Sequence, residues 1–186
     1  TKELVDLISK CVVHVPKFIR INRLIRDIPG TDIVAGNKST NLREVIENNV
    51  RVSGGTLTDI RSREVKVRDI KENELKLNRI IYKTPYSTEY FLSFDTIKDD
   101  KIAGFLRLSL PHTKYIKNPL LNELKDSSLI REVHVYGRAN ILGGDSYMTS
   151  QHLGLGTKLI EEANKISKKK KYTKTSVISA IGTREY

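Results

Sequence analysis

The sequence predicts an α/β fold, and three observations carry that reading. Residues 88 to 95 and 102 to 110 are alternating runs around the polar turn Lys98 to Lys101, a hairpin signal. The strand-like REVHVYG, 131 to 137, is followed after a polar stretch by QHLGLGTKLIEEANKI, in which glycines open an amphipathic helix, and then by a further strand in TSVISAIGTREY. In the first 65 residues helical and strand-like stretches alternate, as in the last βα units of a larger α/β domain.

Taken in order, Leu4, Leu7, Ile8 and Val12 lie at helical spacing and predict a helix within residues 1 to 15, which Pro16 stops; KFIRINRLI then has the rhythm of a strand. A loop rich in Gly, Asn, Ser and Thr, 36 to 40, leads to a second helix, NLREVIENNV, capped by Thr40 or Asn41. Gly54 and Gly55 precede TLTDIRSREV, and a boundary near Val65 divides the chain into residues 1 to 65 and 66 to 186. Beyond it the hairpin predicts an antiparallel sheet with 131 to 137 as a central strand. The following helix places Leu155, Leu159, Ile160, Ala163 and Ile166 on one side, and the strands flanking it are expected to be parallel. The run Lys168 to Lys171 reads equally as a solvated helix end, whose cations favour the negative end of the dipole, and as a nucleic-acid contact.

Composition narrows the function classes. A length of 186 residues suits one ordinary domain, or one domain and part of another; hydrophobic and charged fractions of 38% and 30% are those of a globular chain. No signal-peptide pattern opens it and no apolar run matches a bilayer, so a soluble, cytoplasmic protein without membrane association is expected. Cys11 is the single cysteine, which excludes an internal disulfide and, by itself, a zinc or iron–sulfur site. The net charge of +11 predicts a nucleic acid or phosphate-rich cofactor as partner; the competing explanation is the lysine-rich surface of a heat-adapted chain.

Glycine sacrifices helix propensity, so glycines at a helix start need a reason. A strand, then Gln151, His152, Leu153, Gly154, Leu155, Gly156 and Thr157, then a helix, sets free backbone N–H groups at a helix N-terminus where no Cβ obstructs an anion. A tight strand-to-helix turn alone is the other explanation. The third glycine and the acidic residue of a dinucleotide fingerprint are lacking. The pattern Q/R-x-x-G-x-G/A after a hairpin meander resembles motif A of the Gcn5-related N-acetyltransferase superfamily, whose loop holds the pyrophosphate of coenzyme A.

RLIRDIPG, NLREVI, DIRSREV, REVHVYG, QHLGLGTKLIEEA and VISAIGTREY also stand in the order and spacing of the catalytic subunit of Elongator, and the resemblance covers nearly the whole chain. That family joins a radical S-adenosylmethionine (SAM) domain to a Gcn5-related acetyltransferase domain and is implicated in carboxymethyl-type modification of the tRNA wobble uridine. The resemblance implies a Gcn5-related N-acetyltransferase fold preceded by the C-terminal part of a radical SAM α/β barrel, with tRNA, acetyl-CoA and further Elongator subunits or self-association as partners. It also implies an archaeal or other heat-adapted source. The 4Fe–4S cluster and SAM belong to the full-length protein only, because the family's cysteine motif is lacking here; relatives continue past Tyr186 with a final helix and strand. Where relatives carry zinc-binding cysteines, Leu57, Asp59 and Ser62 stand, which argues against zinc.

Residue roles follow from chemistry and resemblance together. On 131 to 136, Arg131, Val133 and Val135 alternate with Glu132, His134 and Tyr136, giving a mostly apolar face and a polar one. In Gcn5-related folds this strand splays from its neighbour, so Val133, His134 and Val135 are expected to offer backbone groups to the pantetheine arm, and the loop from Gln151 to Thr157 to hold the pyrophosphate. Glu132 and His134 are candidate bases, the alternative being an Arg pair for Glu132 and a half-buried, satisfied His134. Tyr186 is the candidate acid for the leaving thiolate, with the tyrosine that follows it in relatives an equal candidate; the alternative is an aromatic of the last helix. Arg20, Arg23, Arg26, Arg61, Arg63, Lys66 and Arg68 are candidate tRNA phosphate contacts, some of them alternatively braces paired to Glu64 or Asp69. The activity implied is tRNA-stimulated acetyl-CoA cleavage supplying the acetyl unit for uridine C5; the alternatives are a protein lysine acetyltransferase and a noncatalytic tRNA-binding module.

Overall fold

The computed structural model describes residues 2–24, 29–66, 70–112, 122, 124–137 and 154–179. It divides into two compact units, Thr1–Glu64 and Val65–Tyr186.

In the first unit α1, Lys2–Val12, packs on α2, Leu42–Val52, through Val12, Leu42, Ile46 and Val50, flanked by Val5, Ile8 and Val13. Asn49 donates to Ser9 Oγ at 3.0 Å across this contact. Both helices match the expected ones, but the buried arc of α1 is narrower: Leu4 and Leu7 are exposed. Asn41 holds the N-cap position of α2, yet its side chain makes no capping bond. The strand expected at 17 to 25 does not form among the described residues. Its carbonyls are satisfied otherwise: Ile19 O accepts from Ile60 N–H (3.0 Å), Ile21 O from Arg43 (2.6 Å) and Asn22 O from Arg61 (2.7 Å). A short helix, α3, Ile60–Arg63, lies within the TLTDIRSREV segment.

The second unit is a five-stranded mixed sheet in the order β1-β2-β3-β4-β5. The strands are β1 Leu75–Lys83, β2 Ser87–Thr96, β3 Ile102–Pro111, β4 Ser127–Val135 and β5 Lys174–Val177. The first four form an antiparallel meander, and β5 returns parallel to β4 after α4, Leu155–Lys169, as the flanked helix predicts. β1 is additional to the expected strands; alternation hides it because each of its faces mixes apolar and charged residues.

Leu159, Ala163 and Ile166 of α4 cover one sheet face, meeting Tyr90 and Leu92 of β2, Leu106 and Leu108 of β3, and Ile130 of β4, and Leu155 is buried on the same helix. Ile160, expected on that stripe, is 40% exposed because it follows Leu159 by one residue, about 100° round the helix. The register slips at β4: Arg107 pairs with Glu132 but Leu108 with Ile130, so Arg131 is the extra residue of a β-bulge. Ile130 and Val133 therefore share the α4 face although they are three residues apart. The strict alternation expected from Arg131 to Tyr136 thus fails at its first residue.

Leu159→Ala is expected to destabilise the unit by about 2–5 kcal/mol, and Ile160→Ala by well under half of that, read from urea unfolding. Tyr172 tests the same core. Its hydroxyl donates to Pro111 O at 2.7 Å, and burial, with the nearby Asp126 carboxylate, raises its pKa above 10.0. The folded state therefore favours the neutral phenol, whose stabilisation is complete below pH 10.0 and is lost as pH climbs through the raised value. Unfolding curves for Tyr172→Phe should show a smaller alkaline loss of stability than the parent.

Candidate functional site

β4 and β5 part company after Ile130. Their pairing runs from Ser127↔Lys174 to Ile130↔Val177, with one more bond from Ile178 N–H to Ile130 O at 3.0 Å, whereas β4 continues beside β3 to Val135. Tyr136 N–H donates to Ala103 O at 2.8 Å. The alternation of an antiparallel pair then turns the peptide groups of Glu132 and His134 towards β3, and those of Val133 and Val135 towards the opening. Of the expected backbone trio, His134 is thus committed to the sheet.

The start of α4 abuts the end of this strand, since a Cβ built on Gly156 would lie 3.7 Å from Val135 Cγ2. Gly154 is the N-cap, in the left-handed conformation with φ 62°, a geometry that costs an L residue about 1–2 kcal/mol. Its carbonyl accepts from Lys158 N–H at 3.0 Å. The N–H groups of Leu155, Gly156 and Thr157 have no intrahelical acceptor, and among the described residues no side chain caps them. The two glycines therefore differ: backbone geometry demands the first, while the second has ordinary room for a Cβ among the described residues. Gln151, His152, Leu153 and Tyr186 lie outside the described residues.

The sheet face opposite α4 carries a polar and aromatic array built by the bulge, which sets Arg131 and Glu132 on the same side. Arg107 Nε donates to Glu132 Oε2 at 3.0 Å, and its guanidinium carbon sits 5.3 and 5.5 Å from the ring centres of Phe91 and Phe105. Glu89, 3% exposed, accepts from Ser87 and Ser109 hydroxyls at 2.5 Å each and pairs with Arg131 at 3.6 Å. His134 stacks 5.9 Å from Phe105 and lies 4.7 Å from Tyr136. Glu132 is thus held by an arginine, and His134 is exposed rather than half-buried. Sequence reasoning missed Glu89 and Arg107; the signal for Arg107 was a lone charge in an otherwise apolar or hydroxylated strand, whereas Glu89 shares β2 with a second carboxylate, Asp95.

The described basic candidates differ in exposure and partners. Arg63 is 4% exposed, which removes it from phosphate contact; Arg20 pairs with Glu64 at 2.9 Å, and Arg61 holds the Asn22 carbonyl. Arg23 and Lys66 are exposed, and Arg26 and Arg68 lie outside the described residues. Leu57 packs on the α1–α2 core and Ser62 donates to Asp59; among the described residues no group of three His, Cys, Asp or Glu side chains could hold a metal ion.

Comparison with known proteins defines the class first. Residues 1–51 match the family described as Radical_SAM C-terminal domain, so the chain carries a radical SAM C-terminal region followed by the mixed-sheet unit. The chain is 37% identical to Elongator complex protein 3 of Schizosaccharomyces pombe over 98% of its own length and 34% of that protein. It is likewise 37% identical to the tRNA uridine(34) acetyltransferase of Methanocaldococcus jannaschii, over 100% of this chain and 35% of that one. An N-terminally deleted archaeal Elp3 of Methanocaldococcus infernus superposes with a TM-score of 0.77 at 35% identity, covering 98% of this chain and 44% of that one. Over nearly its whole length the chain is a homologue of Elongator complex protein 3, and it spans about a third of the length of the curated relatives it matches.

The difference between the two glycines is testable on stability alone. Gly154→Ala should lower unfolding free energy by about 1–2 kcal/mol. Gly156→Ala should leave it unchanged or raise it by up to about 1 kcal/mol, since alanine is the better helix former.

Proposed function

We propose that residues 66 to 186 form a Gcn5-related acetyltransferase domain that binds acetyl-CoA along the opening between β4 and β5, within a tRNA-modifying enzyme. The observation that carries this reading is the departure of β5 from β4 at Ile130, on the strand whose far end meets the uncapped first turn of α4. Acetyl-CoA, when bound, supplies an activated acetyl thioester. Val133 and Val135 would offer their free peptide groups to the amides of the pantetheine arm. The N–H groups of Leu155, Gly156 and Thr157 would receive the pyrophosphate, with the positive end of the helix dipole behind them and Gln151, His152 and Leu153 leading in.

Tyr186 is the proposed proton donor to the departing thiolate. Glu132, held by Arg107, and His134, stacked on Phe105, shape the acceptor side of the opening. The tRNA uridine(34) acetyltransferases among the relatives support a tRNA substrate, with the acetyl unit destined for C5 of the wobble uridine. The radical step would fall to the part of the full-length protein that holds the 4Fe–4S cluster and SAM, since Cys11 alone cannot ligate a cluster.

Acetyl-CoA hydrolysis by the full-length protein, measured with and without tRNA, decides this. Turnover should rise with tRNA, and Gly156→Asp should weaken acetyl-CoA binding by about tenfold or more by setting a carboxylate against the pyrophosphate, while Gly156→Ala keeps most of it. Absence of acetyl-CoA binding in the parent would sink the reading. Transfer to a lysine peptide without tRNA dependence would replace it with a protein lysine acetyltransferase.

A further inference from the structure

The opposite end of α4 gathers positive charge. Lys165 and the run Lys168 to Lys171 leave the helix, Lys174 opens β5, and Lys125 precedes β4; all are exposed. Three contacts bring these segments together: Ser167 Oγ donates to Ser128 Oγ at 2.8 Å, Thr173 N–H to Asp126 O at 3.1 Å, and Ser127 pairs with Lys174 in the sheet. No ion pair among the described residues engages any of these ammonium groups. Among the described carboxylates close to them in the chain, Asp126 at the foot of β4 and Glu161 on α4 form no ion pair with these lysines, and Glu162 is paired with Arg79.

A solvated helix end does not account for this cluster. Lys170 is the C-cap and Lys171 follows in the left-handed conformation with φ 65°; Tyr172 N–H donates to Ser167 O and Lys171 N–H to Lys168 O, at 3.1 and 3.0 Å. That double closure gives the Ser167 and Lys168 carbonyls backbone donors, so neither needs a lysine side chain. Glycine fits the left-handed position best, yet the chain places a lysine in it. Lys174 lies on β5 and Lys125 in the turn before β4, where the helix dipole gives no reason for them.

We propose that this end of the unit, formed by the C-terminus of α4 and the paired starts of β4 and β5, is a docking surface for the phosphate backbone of RNA. Unpaired ammonium groups on several elements suit a chain of phosphates, each contact releasing a counterion and none reading a base. The proposal rests on the reading of the chain as part of a tRNA-modifying protein.

The test measures binding of a tRNA transcript to the full-length protein across a salt series. The triple variant Lys169→Gln/Lys171→Gln/Lys174→Gln should lose about tenfold in affinity, with the slope of log affinity against log salt reduced by about 2 to 3. The charge-matched control Lys76→Gln/Lys83→Gln/Lys98→Gln, near the opposite edge strand, should retain the parent slope. Lys171→Gly separates charge from folding: it should raise the urea midpoint while weakening tRNA binding. Parent-like tRNA binding in the triple variant overturns the proposal, as does an equal loss in the control. It is also overturned if the triple variant loses only binding to phosphatidylserine vesicles or to a polyglutamate peptide. Acetyl-CoA hydrolysis without tRNA should match the parent in every variant, so failure of the acetyl-CoA reading shows separately.

Discussion

The extra residue at Arg131 is the constraint around which the second unit is arranged. By inserting one residue opposite Arg107 and Leu108, β4 changes which side chains face α4. Ile130 and Val133 both enter the helix-covered core, and Arg131 and Glu132 both turn to the other face. There they meet Glu89 and Arg107, so two ion pairs form, one with the adjacent β3 and one reaching across β3 to β2, where strict alternation would have provided one. A bulge also bends its strand and sharpens the local twist. It sits where β5 ceases to pair with β4, which links the opening to a specific irregularity.

Burial explains why the polar array can persist in a thin sheet. Glu89 accepts two hydroxyl donors and an arginine, leaving no bare charge in a nearly closed position. Arg107 spreads over Phe91 and Phe105, which favours a guanidinium over an ammonium because its planar cation lies flat on rings. The two faces of the sheet are therefore stabilised differently: aliphatic packing beneath α4, and hydrogen-bonded charge with stacked rings opposite.

α4 joins two ends of contrasting electrostatics. At Gly154 its uncapped N–H groups present the positive end of the dipole, and at Lys171 its carbonyls are closed by backbone donors while ammonium groups project outward. Both ends attract anions, one through the backbone and one through side chains. Both turn on a left-handed residue, glycine at the first and lysine at the second.

The hairpin, the parallel return of β5, the two helices of the first unit and the glycine-opened α4 were all legible in the sequence, because each rests on local spacing of apolar residues or on a turn residue with few substitutes. The loop motifs likewise carried the family resemblance. What local spacing did not reveal depends on partners distant in the chain. The segment 17 to 24 has strand rhythm but gives its carbonyls to Arg43, Ile60 and Arg61. Arg63 reads as a surface cation and is buried, and Ile160 reads as core and is exposed. Periodicity reports what a residue's own element permits. Tertiary packing alone decided that β4 would gain a bulge, that Glu132 would be claimed by Arg107, and that lysines from three segments would converge, since each outcome depends on which strand or helix end lies alongside.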